Sequence, residues 1–153
     1  MTTTQNYVIF KIDNEMLAIP VSVAYEIISY QEPTEIPEIQ EYIKGVINIR
    51  GSIMPAIDLR LKLGKNEKEL DENTSIIMLD FKTNEKKYKL GIIVDEVVSI
   101  LEIDELKIIP VPSVGSKYNS DFVNGMLKTD SNYIIILDII KIITQNKITI
   151  VTE

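Results

Sequence analysis

The chain has 153 residues, with 16 Lys and Arg against 23 Asp and Glu, and it contains neither Cys nor His. About 150 residues suffice for one ordinary domain or two small lobes that share a core, and a formal charge of −7 argues against nucleic acid as a partner. The missing Cys and His exclude disulfides, thiolate nucleophiles, zinc–thiolate sites, Ser-His-Asp triads and phosphohistidine relays.

Short runs rich in Ile and Val predict β-strands, and polar or glycine-containing turns join them in pairs. In chain order the predicted hairpins pair residues 7–12 with 16–20, 45–50 with 53–58, 75–81 with 88–94, and 123–129 with 133–137. Helical signal is confined to one turn at residues 59–63, ended by Gly64, and to residues 139–145, capped by Asp138. The sequence therefore predicts an all-β fold with one or two short helices.

An internal repeat relates the two halves of the chain. Residues 42–45 (YIKG) match residues 122–125 (FVNG), and the same offset of 80 relates residues 58–59 to 138–139. Upstream, residues 17–19 resemble residues 90–92 at an offset of 73. We expect two similar small β-barrels, one built mainly from about residues 15–80 and the other mainly from about 81–140, with the chain ends crossing between them.

The N-terminus has neither the basic nor the apolar region of a signal peptide, and the densest apolar stretch, residues 133–137, is far too short to span a membrane. We therefore expect a cytoplasmic protein.

The chain has 14 Lys but only two Arg, Arg50 in the second predicted hairpin of the first half and Arg60 directly after it. Arg offers a planar fork for bidentate contacts that Lys cannot make. Arg50, beside the turn residue Gly51, is the stronger candidate for recognition of a partner. For Arg60 two roles remain open: a second recognition residue, or a structural ion pair with Asp58 or an acidic loop.

Residues 43–60 (IKGVINIRGSIMPAIDLR) combine Gly45, an Asn48-x-Arg50-Gly51 motif, Pro55 and an Asp58-Leu59-Arg60 motif. This pattern resembles the signature of CheW-like domains. Glu26-Ile27, residues 91–95 (GIIVD), residues 110–112 (PVP) and Gly125, the repeat counterpart of Gly45, also fit. The similarity extends over essentially residues 7–143.

The resemblance implies a non-enzymatic chemotaxis adaptor that couples methyl-accepting receptors to the histidine kinase CheA and supports receptor arrays. It implies one CheW-like domain over residues 1–153, made of two intertwined five-stranded SH3-like barrels, with no cofactor or metal and with membrane contact only through receptors. The positions that it assigns to the receptor tip are Glu26, Ile28, Asn48, Arg50, Ser75 and Val97. The positions that it assigns to the kinase regulatory domain are Pro110, Pro112 and Val114.

Two other classes of function remain as alternatives. A small-molecule-binding β-barrel would show the same strand pattern but needs a cavity with a few convergent polar groups. An enzyme that uses the carboxylates of Asp58 and Asp138 is the weakest reading, because each residue follows a predicted strand, where helix capping is the simpler role.

Overall fold

The computed structural model describes residues 3–37, 39–111 and 120–145. Ten strands form most of this part of the chain: β1 (Thr4–Ile12), β2 (Glu15–Pro20), β3 (Ala24–Ser29), β4 (Ile43–Ile49), β5 (Ser52–Asp58), β6 (Ser75–Thr83), β7 (Lys86–Val94), β8 (Glu96–Asp104), β9 (Val123–Lys128) and β10 (Tyr133–Leu137). The helices are α1 (Leu59–Lys62) and α2 (Ile139–Thr144), with 3₁₀ turns at Glu105–Lys107 and Ser120–Phe122. The predicted all-β class with short helices is confirmed.

All four predicted hairpins are present, as the antiparallel pairs β1–β2, β4–β5, β6–β7 and β9–β10. Strands β3 and β8 were not predicted. Both carry apolar side chains on an exposed face, such as Ile27 at 38% exposure and Ile100 at 59%. Exposed apolar residues blur the alternation that identifies a half-buried strand, so the two segments read only as connections.

The strands form two five-stranded sheets. The terminal sheet has the order β8-β1-β2-β10-β9 and contains strands from both ends of the chain, and the central sheet has the order β3-β6-β7-β5-β4. In the first repeat, β1 and β2 lie in the terminal sheet and β3, β4 and β5 lie in the central sheet. In the second repeat, β6 and β7 lie in the central sheet and β8, β9 and β10 lie in the terminal sheet. The two repeats are therefore intertwined. The predicted lobe boundaries differ from the sheets in two places, since β2 lies in the terminal sheet and β7 in the central sheet.

The two repeat offsets appear as equivalent strand pairings. In the central sheet, β5 runs parallel to β7 with Ala56 opposite Gly91. In the terminal sheet, β10 runs parallel to β2 with Ile136 opposite Ala18. The equivalent residues Ala56 and Ile136 are 80 residues apart, which is the first repeat offset. Their partners Ala18 and Gly91 are 73 residues apart, which is the second offset.

Three apolar clusters form the core of the described part of the chain. The largest takes Phe10 and Leu17 from the terminal sheet and Ile77 and Leu79 from the central sheet, and it forms the shared core. The alternate residues of each sheet, such as Ile76 in the central sheet, form a second cluster on its other face. Each fully buried aliphatic side chain contributes roughly 1.5–3 kcal/mol. Strands that are covered on both faces, such as β1 and β6, contain continuous buried apolar runs.

One glycine in each sheet, Gly45 in the central sheet and Gly125 in the terminal sheet, allows a close backbone contact between the two edges of that sheet. Thr34, which follows edge strand β3, exchanges two backbone hydrogen bonds with Val46 on the opposite edge strand β4. Ile109 and Met126 make the equivalent pair in the terminal sheet. Gly45 has φ +142°, and a Cβ there would overlap the Thr34 carbonyl oxygen. These contacts draw the two edges of each sheet toward one another.

Candidate interaction site

Arg50 lies in a two-residue turn between β4 and β5. Arg50 has φ +52° and Gly51 φ +90°, and positive φ at both central positions is characteristic of a type I′ hairpin turn. The Oδ1 atom of Asn48 accepts a hydrogen bond from the Gly51 backbone N–H at 2.9 Å. A long side chain at positive φ carries a steric cost that the usual Asn-Gly turn avoids, so Arg50 is not the residue that this turn would favour on backbone grounds alone.

The guanidinium of Arg50 makes a bidentate ion pair with Glu26. Nη2 lies 2.5 Å from Oε1 and Nη1 lies 3.2 Å from Oε2. The hydrogen bond from Arg50 lowers the pKa of the Glu26 carboxyl and raises that of the guanidinium, so the pair stays ionised near neutral pH. The Arg50 side chain is still 69% exposed, against 30% for Glu26. Glu26 therefore orients the guanidinium without covering it.

The surroundings of this pair are mixed polar and apolar. Asn48 is exposed and lies opposite Ile53, which is 62% exposed, while Ile47 and Ile49 are buried. Tyr25, next to Glu26 in the chain, is 44% exposed. Sequence reasoning missed Ile53 and Tyr25, because an apolar residue in a strand reads as core until its exposure is known.

The other predicted receptor-facing residues are only partly grouped with Arg50. Ile28 lies on β3 two residues beyond Glu26 and packs against the second cluster of the central sheet. Ser75 pairs with Ser29 at the end of the same strand pair. Val97 lies on β8 in the terminal sheet, where it is paired with Phe10 and packs against the shared core.

Arg60 has a structural environment that differs from that of Arg50. Its side chain is 10% exposed, and Nη1 lies 2.6 Å from Asp13 Oδ1 and 2.8 Å from Asp95 Oδ2. Its Nε donates to the Asn66 carbonyl oxygen at 2.9 Å. Asp13 lies in the β1–β2 turn of the terminal sheet and Asp95 lies where β7 passes to β8. Arg60 therefore links the two sheets by an ion-pair cluster in which Arg60 and Asp95 are buried and Asp13 is about half exposed.

The rest of the motif supports this arrangement. The carboxylate of Asp58 accepts from the backbone N–H groups of Arg60 and Leu61 and so caps α1, as predicted, and does not pair with the guanidinium. Burial raises the pKa of Asp58 despite these hydrogen bonds. Leu59 is fully buried in the shared core, and Pro55 is exposed on β5.

The predicted kinase-facing segment is described in part, since Pro112 and Val114 lie outside the described residues. Pro110 is exposed and directly follows Ile109, whose backbone is paired with Met126 on β9. Two side chains that the sequence analysis did not single out add apolar surface here: Ile109 is 44% exposed and Leu106 is 78% exposed.

Within residues 3–37, 39–111 and 120–145, no group of three or more carboxylates is arranged to hold a metal ion. No helix in this part of the chain is long and apolar enough to cross a membrane.

Comparison with known proteins gives one consistent result. The family model of the CheW-like domain matches residues 6–147. The chemotaxis protein CheW of Klebsiella aerogenes is 32% identical over 150 residues, covering 98% of this chain and 88% of the relative. The chemotaxis protein CheW of Thermotoga maritima is 32% identical over 136 residues, covering 89% of this chain and 85% of the relative. The crystal structure of the scaffolding protein TtCheW from Thermoanaerobacter tengcongensis matches with a TM-score of 0.79 at 32% identity, covering 93% of this chain and 89% of that one.

Proposed function

The chain belongs to the CheW-like family, and from this premise we propose that it is a non-enzymatic chemotaxis scaffold that couples methyl-accepting chemoreceptors to the histidine kinase CheA. The observation that carries the proposal is the exposed guanidinium of Arg50, fixed by Glu26 at a tight turn. Such a group suits recognition of a protein partner, and the proposed role requires no bond to be made or broken.

The receptor-binding face is centred on Arg50. A guanidinium has five N–H donors, and those that do not donate to Glu26 remain available for carboxylate or carbonyl oxygens of a receptor tip. The ion pair orders the arginine before binding, which reduces the entropy lost when the partner docks. Ile53 and Tyr25 add exposed apolar surface beside it. We include Ile28, Asn48 and Ser75 in this face, and Val97 as its contribution from the terminal sheet.

The kinase-binding face is formed by Leu106, Ile109 and Pro110, continuing to Pro112 and Val114. Pairing of Ile109 with β9 anchors this segment to the terminal sheet, and the ring of Pro110 fixes the φ of that residue. Such a segment presents apolar side chains at low entropic cost.

The fold relates the two faces in a defined geometry. The receptor face is built mainly on the central sheet and the kinase face on the terminal sheet, and the shared core and the Arg60 cluster join these sheets. A receptor and a kinase bound to this chain are therefore held at a fixed separation and orientation. Modest single contacts suffice for this role, because repeated units in an array bind as a multivalent assembly.

The proposal is tested by binding of a purified receptor cytoplasmic fragment and of the purified CheA regulatory domain. We expect wild type to bind both, and Arg50→Glu to lose the receptor fragment while it keeps the kinase domain. The swapped double variant Glu26→Arg/Arg50→Glu retains an internal ion pair and serves as the matched control, and it should not recover receptor binding. Full recovery by the swap would make the pair structural, and failure of wild type to bind either partner would refute the proposal.

A further inference from the structure

The tip of the β6–β7 hairpin carries a concentration of positive charge in an otherwise acidic chain. Lys82, Lys86, Lys87 and Lys89, called here the lysine hairpin, are four of the 14 lysines of a chain with net charge −7. All four are exposed. None of them lies within 4.0 Å of a carboxylate oxygen in the part of the chain that the structure describes.

Two of these lysines face each other. Lys82 and Lys87 are Cα partners across the β6–β7 pair, so their ammonium groups start from directly opposite positions on one face of the sheet. Like charges in this arrangement destabilise a strand pair. A negatively charged partner placed over the two lysines would remove that repulsion.

The hairpin is stiff enough to present these charges in a fixed pattern. Its turn residues Asn84 and Glu85 have φ +51° and +65°, the conformation of a tight type I′ turn. The rings of Phe81 and Tyr88 stack with centroids 5.0 Å apart, and the ammonium of Lys86 lies 5.1 Å from the Tyr88 ring centroid. Such pre-ordering lowers the entropic cost of binding.

The lysine hairpin is continuous with the receptor-binding face. The ammonium of Lys89 lies 5.5 Å from the ring centroid of Tyr25, and Tyr25 precedes Glu26 on β3. Burial raises the pKa of the Tyr25 hydroxyl, and the charges of Glu26, Asp80 and Arg50 also act on it. Tyr25 therefore lies between the ion pair and the hairpin, within electrostatic reach of both.

The charge pattern favours an acidic protein segment over a lipid surface or a nucleic acid. Membranes and nucleic acids attract a protein largely through its charge summed over about a Debye length, and residues 80–89 carry four Lys against Asp80 and Glu85, a net charge of only +2 on the hairpin. A protein partner contacts individual side chains at short range, where the local charge decides.

We propose that the lysine hairpin is a second contact element for the partner that binds Arg50, and that it takes an acidic segment of that partner with carboxylates opposite Lys82, Lys87 and Lys89. This inference rests on the proposed function, since it places the hairpin in the receptor-binding face. It predicts that the cognate receptor carries Asp or Glu residues beside the site that meets Arg50.

The test compares two charge-matched triple variants with wild type and Arg50→Glu. One replaces Lys82, Lys87 and Lys89 with Gln, and the control replaces Lys107, Lys128 and Lys141, three exposed lysines elsewhere. Affinity for a purified receptor cytoplasmic fragment encoded in the same genome is measured at several salt concentrations. Sedimentation with vesicles of phosphatidylcholine and phosphatidylserine is measured in parallel, and circular dichroism checks the fold.

We expect the hairpin variant to bind the fragment about fivefold to tenfold more weakly at moderate salt, with a shallower salt dependence, and the control to match wild type. Equal affinity of the two triple variants, with binding lost only in Arg50→Glu, would overturn the inference and leave the proposed function intact. Hairpin-dependent sedimentation with vesicles and unchanged receptor binding would assign the hairpin to a membrane and overturn it as well. If wild type does not bind the fragment, both the inference and the receptor-coupling proposal fail.

Discussion

Glu26 and Arg50 join the two edges of one five-stranded sheet. Glu26 lies on edge strand β3, and Arg50 lies in the turn that leaves the opposite edge strand β4. Their two N–H···O contacts therefore reach between the two edges of the sheet, as the backbone bridge between Thr34 and Val46 also does. This ion pair orients the exposed guanidinium at the centre of the proposed receptor face.

Replacement of Arg50 by Asn should separate stability from function. Asn tolerates positive φ and forms the favoured Asn-Gly type I′ turn with Gly51. We therefore expect Arg50→Asn to unfold at the same temperature as wild type or a few degrees higher, and to bind the receptor fragment at least tenfold more weakly. Differential scanning calorimetry and a binding titration check the two parts. A large fall in melting temperature would show that the guanidinium is needed for folding.

Removal of Arg60 should destabilise the fold far more than removal of an exposed lysine. Arg60→Met leaves the buried carboxylate of Asp95 with the ammonium of Lys68 at 3.5 Å and the backbone N–H of Asp13 at 2.7 Å, and breaking a buried ion pair costs roughly 3 kcal/mol. Arg60→Lys should fall between this variant and wild type, because Lys keeps the charge but lacks the planar fork. Urea denaturation measures the free energy of unfolding.

Lys44→Met is the matched control for Arg60→Met, because Lys44 pairs with Glu67 at 2.5 Å in an exposed position. Exposed pairs contribute little to stability, so its denaturation midpoint should stay close to that of wild type. Equal effects of the two substitutions would contradict the structural role of Arg60.

The same cluster predicts how stability responds to acid. The hydrogen bond from Arg60 lowers the pKa of Asp13 in the folded chain, below an unfolded value of about 3.9. Such a carboxylate stabilises the fold at pH values above its unfolded pKa, and this contribution is lost as the pH falls through the folded pKa. Below about pH 4, the free energy of unfolding should therefore fall less steeply in Asp13→Asn than in wild type.

Arg60→Met provides the control for this pH dependence, because it removes the cause of the shift at Asp13. Adding Asp13→Asn to Arg60→Met should not further reduce the slope with which the free energy of unfolding falls below about pH 4. If the free energy of unfolding falls equally steeply below about pH 4 in wild type and Asp13→Asn, the predicted coupling between Arg60 and Asp13 is contradicted.

Gly45 should be replaceable only at a high cost. Gly45→Ala adds a Cβ that overlaps the Thr34 carbonyl oxygen, at a φ of +142°. Gly51→Ala is the control, because it places Ala at a φ of +90° with nothing within 4 Å of its Cβ. Overpacking typically costs about 1–3 kcal/mol, so Gly45→Ala should unfold at clearly lower urea than Gly51→Ala. The same midpoint for both would show that the Thr34–Val46 bridge is dispensable.

Local features of the fold could be predicted because neighbouring residues determine them. The four hairpins follow from apolar runs and turn residues, and Asp58 and Asp138 cap the helices that they precede. The exposed position of Arg50 followed from its place beside Gly51. The repeat offsets also correspond to equivalent parallel pairings, because a duplicated segment keeps its tertiary partner.

Features that depend on distant residues could not be predicted. The exchange of hairpins between sheets rests on pairings such as Ala56 with Gly91, which no local pattern specifies. Arg60 pairs with Asp13 and Asp95, 47 and 35 residues away, although the acidic residue nearest in sequence is Asp58. The lysine hairpin was visible only as a polar turn, because the cross-strand register that sets Lys82 opposite Lys87 appears only in the folded chain.

The most direct test of the coupling function is a reconstitution of receptor, kinase and this chain. Receptor cytoplasmic fragments are attached to vesicles, and CheA is added with no scaffold, with wild type, or with Arg50→Glu. Kinase co-sedimentation and autophosphorylation are then measured. The proposed function predicts that wild type brings CheA to the vesicles and changes its activity, and that Arg50→Glu does neither. Equal sedimentation and equal activity of the kinase with and without wild-type protein would contradict it.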